Sequence, residues 1–248
     1  MTNKLYPALF ITALIALWQA VCSARIIPAY LLPSPAAVAA ALINDLPLLL
    51  SHTGTTVIEA FTGLLLSIVF GVFAAAVMDR FEPLYLAVYP VVVLTQTVPA
   101  IAIAPLLVLW MGFGIAPKVL LIFITCFFPI TVSTLSGLRS VDPDIIDLMR
   151  SMGASRLEIL IRVKLKASLE SFFAGLKLAG AYSIISAVIA EWLGGSKGLG
   201  VYMTRVRKSY AFDKMFAVII LISAVSLLLM KLIDIIHKKS MPWRENVK

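Results

Sequence analysis

The sequence predicts an all-α polytopic membrane protein with about six transmembrane helices. Three observations carry this. The 248-residue chain is 61% hydrophobic and 14% charged, with a mean hydropathy of +1.00, whereas soluble domains are roughly half apolar and about a quarter charged. Apolar runs at or near the roughly twenty residues a helix needs to cross a bilayer recur at 5–24, 55–78, 84–111, 119–138, 171–190 and 215–236. The charges collect between these runs, so the net charge of +8 speaks of membrane orientation rather than of nucleic acid. The whole chain, 1–248, reads as one transmembrane domain. Cys22 and Cys126 both lie inside apolar runs, and the two histidines, His52 and His237, are far apart. No disulfide framework, metal site or histidine cluster is expected from them.

The first run, 5–24, is long for a cleaved signal peptide and reads as an uncleaved span. Residues 25–54 contain three prolines before position 36. Ser34 and Pro35 can start a short, weakly hydrophobic helix lying at the outer surface. The second span, 55–78, carries Glu59 one turn inside, a costly position in lipid that predicts a protein-facing or interfacial carboxylate. The run 84–111 is too long for one straight crossing and too short for two with a solvated turn, so a long or broken helix is expected, with the break at 96–99. Gln96 and Thr97 fall at that break. They either line the solute route, where freed backbone groups are tolerated, or mark a kink with no ligand role. The fourth span, 119–138, carries Pro129 as a kink.

Between the fourth and fifth spans lies the longest polar-rich interval, 141–165. Asp142 can cap a helix whose first residue is Pro143, and Gly153 can stop it in the left-handed conformation. Ser155 with Glu158 forms a capping-box pattern that restarts the chain. Ile145, Leu148, Met149 and Met152 fall on one apolar stripe, while Asp147 and Arg150 lie off it. Such a helix is a plug for a groove on a partner. The basic residues that follow, Arg156, Arg162, Lys164 and Lys166, read as headgroup anchors.

In the fifth span Gly175, Ala179, Ser183 and Ala187 repeat every four residues. Small residues at this spacing let helices approach closely in lipid, either at the bundle centre or across a pair of chains. Lys177 is expected to snorkel toward the headgroups. Glu191 ends the span, before an interfacial Trp192 and a glycine-rich loop to Gly200. The basic residues Arg205, Arg207 and Lys208 either receive a partner, attract anions or are a solvated loop. With the N-terminus inside, the inner segments hold twelve Lys and Arg and the outer ones seven, which predicts both termini and the segment 141–165 on the cytoplasmic side.

The segment Asp147-Leu-Met-Arg-Ser-Met-Gly153, followed by Val163-Lys-Leu165, resembles the EAA motif of ABC-importer permeases. Gly153 and the nine-residue interval fit the family pattern. Leu148 and Met149 replace its two alanines, and Lys166 replaces its proline. The stretches 175–200 and 32–42 resemble the nitrate, sulfonate and taurine branch. The resemblance covers most of the chain from about residue 30. It implies a type I importer permease fold, a cytoplasmic coupling helix formed by Ile145, Asp147, Leu148, Met149, Arg150, Met152, Gly153 and Ala154, and a translocation gate near Glu191. It also implies partners: two ABC ATPase subunits that bind the ATP, a second permease copy forming a homodimer, a periplasmic or lipid-anchored solute-binding protein, and membrane lipid in a bacterial inner membrane. No cofactor on this chain, no nucleic acid and no catalysis are expected. The solute implied is a small anion such as nitrate, a sulfonate or taurine, or alternatively a vitamin precursor. A membrane enzyme would need clustered acids, histidines or a nucleophile at the membrane face. A secondary transporter would show repeats and embedded coupling charges. The sequence favours neither.

Overall fold

The computed structural model describes residues 5–242; Lys4, Arg244 and Lys248 of the charge tally lie outside the described residues. Helix α1, Leu5–Ser23, is almost wholly exposed, as suits a helix whose surroundings are lipid. Helix α2, Pro35–Asn44, is capped by the Ser34 side chain, which accepts from the Ala37 N–H. It does not merely lie on the surface: Val38 and Ala41 are buried with Ala217, against Trp18 and Phe216. Helix α3, Leu46–Arg80, starts nine residues before the expected span, because Pro47 sits in its first turn, where no backbone donor is lost.

Helices α4, Glu82–Thr97, and α5, Ala100–Met111, bend by 99° at their junction. The break falls where the sequence places it. Val98, preceding Pro99, is driven into the extended region (φ −85°, ψ 121°), and the Pro99 carbonyl then accepts from Ala102 to begin α5. Helix α6, Ile115–Arg139, leads to the short α7, Pro143–Ser151. Helix α8, Arg156–Ile159, a π-helical turn, Leu160–Lys164, and α9, Leu165–Leu193, run on as one rod. Helices α10, Leu199–Lys208, and α11, Phe212–Ser240, complete the chain. Among the described residues five helices are long and apolar enough to cross a membrane, and the bent α4–α5 pair makes a sixth if counted as one span.

The core is a sandwich of α3, α6 and α9, with α11 against α9. Its centre joins Leu64, Ile122, Cys126, Ile130, Phe173 and Ile184. The small-residue ladder explains the closeness of α6 and α9. A Cβ on Gly175 would lie 2.5 Å from the Pro129 carbonyl oxygen, and Cys126 Sγ donates to the Ala179 carbonyl at 3.2 Å. Ser183 and Ala187 are fully buried on the same helix. The ladder therefore packs inside the chain's own bundle.

Several expectations are corrected. Lys177 does not snorkel freely but pairs with Asp234 on α11. Of the basic headgroup anchors, Lys164 is bonded instead to Asp79 at 2.8 Å, where the carboxylate side chain is 8% exposed. Residues 199–208 are not a solvated loop. They form α10, which buries Leu199, Val201, Tyr202 and Val206 because its apolar residues recur at helical spacing.

Candidate functional site

Two polar sites occupy opposite ends of the bundle. Helix α7 follows the C-terminal end of α6, and Glu191 lies at the far end of α9, about 39 Å along that helix from Leu165 at 1.5 Å per residue.

At the first end, α7 is built from local signals. The Asp142 carboxylate accepts from the Asp144 N–H at 2.9 Å. Gly153 takes φ +82°. Its N–H donates to the Arg150 carbonyl, and the Ala154 N–H donates to that of Met149, a closure that a left-handed glycine permits. Ser155 and Glu158 exchange both bonds of the capping box. With its ends satisfied, α7 presents Ile145, Leu148 and Met152 at 47%, 62% and 74% exposure; Met149 is half-buried. Asp147 pairs with Arg150 at 2.9 Å, both side chains exposed, an arrangement that contributes little to stability. The connections around α7 are tied to the bundle. Lys164 on the π turn bonds both Asp79 oxygens at the end of α3. Arg139, at the end of α6, bonds Glu82 at 2.7 Å and covers the Tyr85 ring at 3.7 Å.

At the other end α3, α6, α9, α10 and the glycine loop enclose an open cleft of about 810 Å³. Glu59 is not interfacial but 3% exposed, with Oε1 accepting from Lys118 Nζ at 2.7 Å. Lys118, one residue before the fourth span expected from sequence, belongs to the first turns of α6 and is buried. Glu191 is 2% exposed. Its Oε1 accepts from the Thr56 hydroxyl at 2.7 Å and its Oε2 from the Gly200 N–H at 2.6 Å. Thr56 Oγ1 in turn accepts from the Leu199 N–H, and His52 Nδ1 accepts from the Gly198 N–H, each at 2.9 Å. Three side chains from α3 and α9 thus satisfy three successive backbone donors at the start of α10, which lacks a side-chain cap of its own. That acceptor role makes His52 the neutral tautomer carrying its proton on Nε2.

Phe113, Trp192, Ser196 and Thr204 also line the cleft, as do the basic residues Lys197, Arg205 and Lys208. Beside it Asp45 accepts from the Tyr202 hydroxyl and from Lys214 Nζ at 2.8 Å. The Lys214 bond, then that of Tyr202, holds the Asp45 carboxyl below its ordinary value of 3.8. Burial, then Asp45, pushes the Tyr202 phenol up.

The structure gathers the residues 145–154 at one end, places Glu191 at the other, and puts Gly175, Ala179, Ser183 and Ala187 in the packing between. Gln96 and Thr97 sit exposed at the α4–α5 corner, and neither lines the cleft. Sequence reading missed Lys118, Thr56, His52 and Gly198. The available signal was charge sign: a lone acid one turn inside one apolar run and a lone base at the start of another.

A family model described as binding-protein-dependent transport system inner membrane component matches residues 67–241. The chain is 36% identical to a probable ABC transporter permease protein of Haemophilus influenzae, with 94% of this chain and 96% of that protein covered. It is 36% identical to the formylaminopyrimidine transport permease protein ThiX of Halalkalibacterium halodurans, covering 98% of this chain and 97% of that protein. In fold it is similar to a chain of the MetNI methionine ABC transporter in an inward facing conformation, with a TM-score of 0.71 at 18% identity, covering 79% of this chain and 98% of that chain.

Proposed function

The chain belongs to the family of inner membrane components of binding-protein-dependent transport systems, and from that premise we propose how it works and what it carries. It is a permease with no chemistry of its own, coupled through α7 to a cytoplasmic ABC ATPase. The observation that carries this reading is the apolar stripe of α7. Ile145, Leu148 and Met152 are exposed on a helix whose ends are already capped, so the stripe has no structural task within this chain. A groove on a partner would bury it. Movement of a docked α7 would reach α3 through the Lys164–Asp79 bridge and α6 through its own C-terminus, and so shift the helices that line the cleft. A second copy of the chain completes the pathway, a solute-binding protein delivers to the cleft, and both termini face the cytoplasm.

The solute is a small organic molecule with an acidic group. Support comes from the likeness of 175–200 to sulfonate and taurine permeases and from Lys197, Arg205 and Lys208 at the cleft. The relationship to a formylaminopyrimidine permease supports a second reading, a nitrogen-bearing vitamin precursor. The test of the machinery is co-purification. A tagged chain solubilised in mild detergent should bring an ABC ATPase with it, and Leu148→Asp should lose that ATPase while the permease is still recovered. Retention of the ATPase at full yield by Leu148→Asp would remove the stripe from the interface.

A further inference from the structure

A second cavity, of about 520 Å³, opens at the α7 end of the bundle, between the last turns of α3, α7, α8 and the π turn. Its lining is apolar in one part and basic in another. Phe73, Val77 and, just past the helix end, Phe81 line it from α3; they fall four residues apart, on one face of the helix. Phe73 and Phe81 are 67% and 52% exposed. The same face continues away from the cavity through Val69 and Leu65, which are also exposed. An open apolar track therefore runs about 12 Å from Phe73 to Leu65 at 1.5 Å per residue, close to the roughly 15 Å of hydrocarbon in one leaflet. Arg80, Arg150 and Arg156 line the cavity from three different helices. Arg80 and Arg156 are in no salt bridge among the described residues. Arg150 gives one nitrogen to Asp147, and a guanidinium has five N–H donors. The acid that lines the cavity, Asp79, is already engaged, since both of its oxygens accept from Lys164 Nζ at 2.8 Å.

We propose that this cavity binds one anionic phospholipid. The phosphate sits among Arg80, Arg150 and Arg156, and an acyl chain lies along Phe73, Val69 and Leu65. Donors and an apolar track meet at one helix end, as a headgroup and a chain meet in a lipid, and a soluble phosphate would leave the track uncovered. The sign selects the headgroup. With Asp79 held by Lys164, the cavity offers no acid to the ammonium of a zwitterionic lipid, whereas basic pockets between helices at a membrane surface suit anionic headgroups. The bound phosphate joins the end of α3 to α7 and α8. Ile146 and Arg150 face the cavity, on a flank of α7 turned away from the stripe of Ile145, Leu148 and Met152. Lipid and ATPase thus occupy different faces of one helix, and the lipid braces α7 against α3.

The experiment uses the full chain purified with its ATPase in a mild nonionic detergent. Dioleoylphosphatidylglycerol and dioleoylphosphatidylcholine, which share their chains and differ in charge, are titrated in, and bound lipid is counted by native mass spectrometry. Phosphatidylglycerol should bind at least about tenfold more tightly, roughly the effect of one hydrogen bond to a charged group. The double variant Arg80→Gln, Arg156→Gln changes two exposed side chains and should bind the two lipids alike. Lys166→Gln, at an exposed base outside the cavity, should keep the preference. Equal binding of the two lipids by the unaltered protein, or a preference that survives in the double variant, would overturn the proposal. So would an equal loss in Lys166→Gln, which would mean diffuse surface attraction. Displacement of phosphatidylglycerol by an equal concentration of glycerol 3-phosphate would assign the site to a soluble phosphate and overturn the lipid. The comparison of lipids on the unaltered protein stands even if the double variant fails to fold. Lipid is counted without ATP hydrolysis, and also on permease that has shed its ATPase, so the site and the importer reading fail separately.

Discussion

Gly198 shows how closely single residues define the cleft. It sits at φ +132°, and a Cβ there would lie 2.2 Å from the Glu191 carboxyl. Its N–H is the donor held by His52. Gly198→Ala therefore carries backbone strain on the order of 1–3 kcal/mol and pushes on a buried carboxylate at once. The expected outcome is a lower thermal midpoint of the purified complex together with loss of transport. Gly54→Ala is the control. Nothing lies within 4 Å of its added methyl, and alanine is favoured over glycine inside a helix by about 0.5–1 kcal/mol, so the midpoint should hold or rise. Equal midpoints for the two variants would show that the loop at 198 is not fixed as described. At the same scale, Gly153 was readable from sequence because its left-handed role follows from the helix it ends. Gly198 was not, because its restriction comes from Glu191 folding back over the loop.

Among elements, α10 is the piece that neighbouring structure decides. It is held at its start by His52, Thr56 and Glu191, and along its length by Tyr202, which bonds Asp45 between α2 and α3. Lys214, early in α11, bonds the same carboxylate, so one acid joins four helices. Because Asp45 titrates below its ordinary value in the folded protein, its contribution is fully present above about pH 4 and is lost as pH falls through the lowered value. The Lys214 side chain is 40% exposed, so solvent screens part of the effect. A thermal-midpoint profile in detergent should therefore fall on the acid side, and Asp45→Asn should lower the neutral plateau and flatten that fall. An unchanged profile in Asp45→Asn would take Asp45 out of the clamp. Helix α7 is the opposite case, with both caps and its stripe written within a few residues of each other, and it was legible before any tertiary structure.

At the scale of the whole molecule, the two polar sites are separated by the apolar α3–α6–α9 sandwich, and the proposed function requires them to face opposite compartments. On a background with Cys22 and Cys126 replaced by serine, Asp144→Cys, exposed on α7 and off the apolar stripe, should react with a membrane-impermeant maleimide only in inverted vesicles, and Ser196→Cys only in intact spheroplasts. Labelling of both from one side would refute the orientation. By itself the sequence determined what depends on composition and on neighbours along the chain: the apolar spans, the break before Pro99, the caps of α7 and its unpartnered stripe. These follow from hydrophobic run length and from hydrogen bonds within three or four residues. Tertiary structure alone decided the cleft. Lys118 meets Glu59 across 59 residues and Thr56 meets Glu191 across 135. Such pairings arise only when α3, α6 and α9 pack, because a charge in an apolar run states that it needs a partner but not which distant helix will bring one.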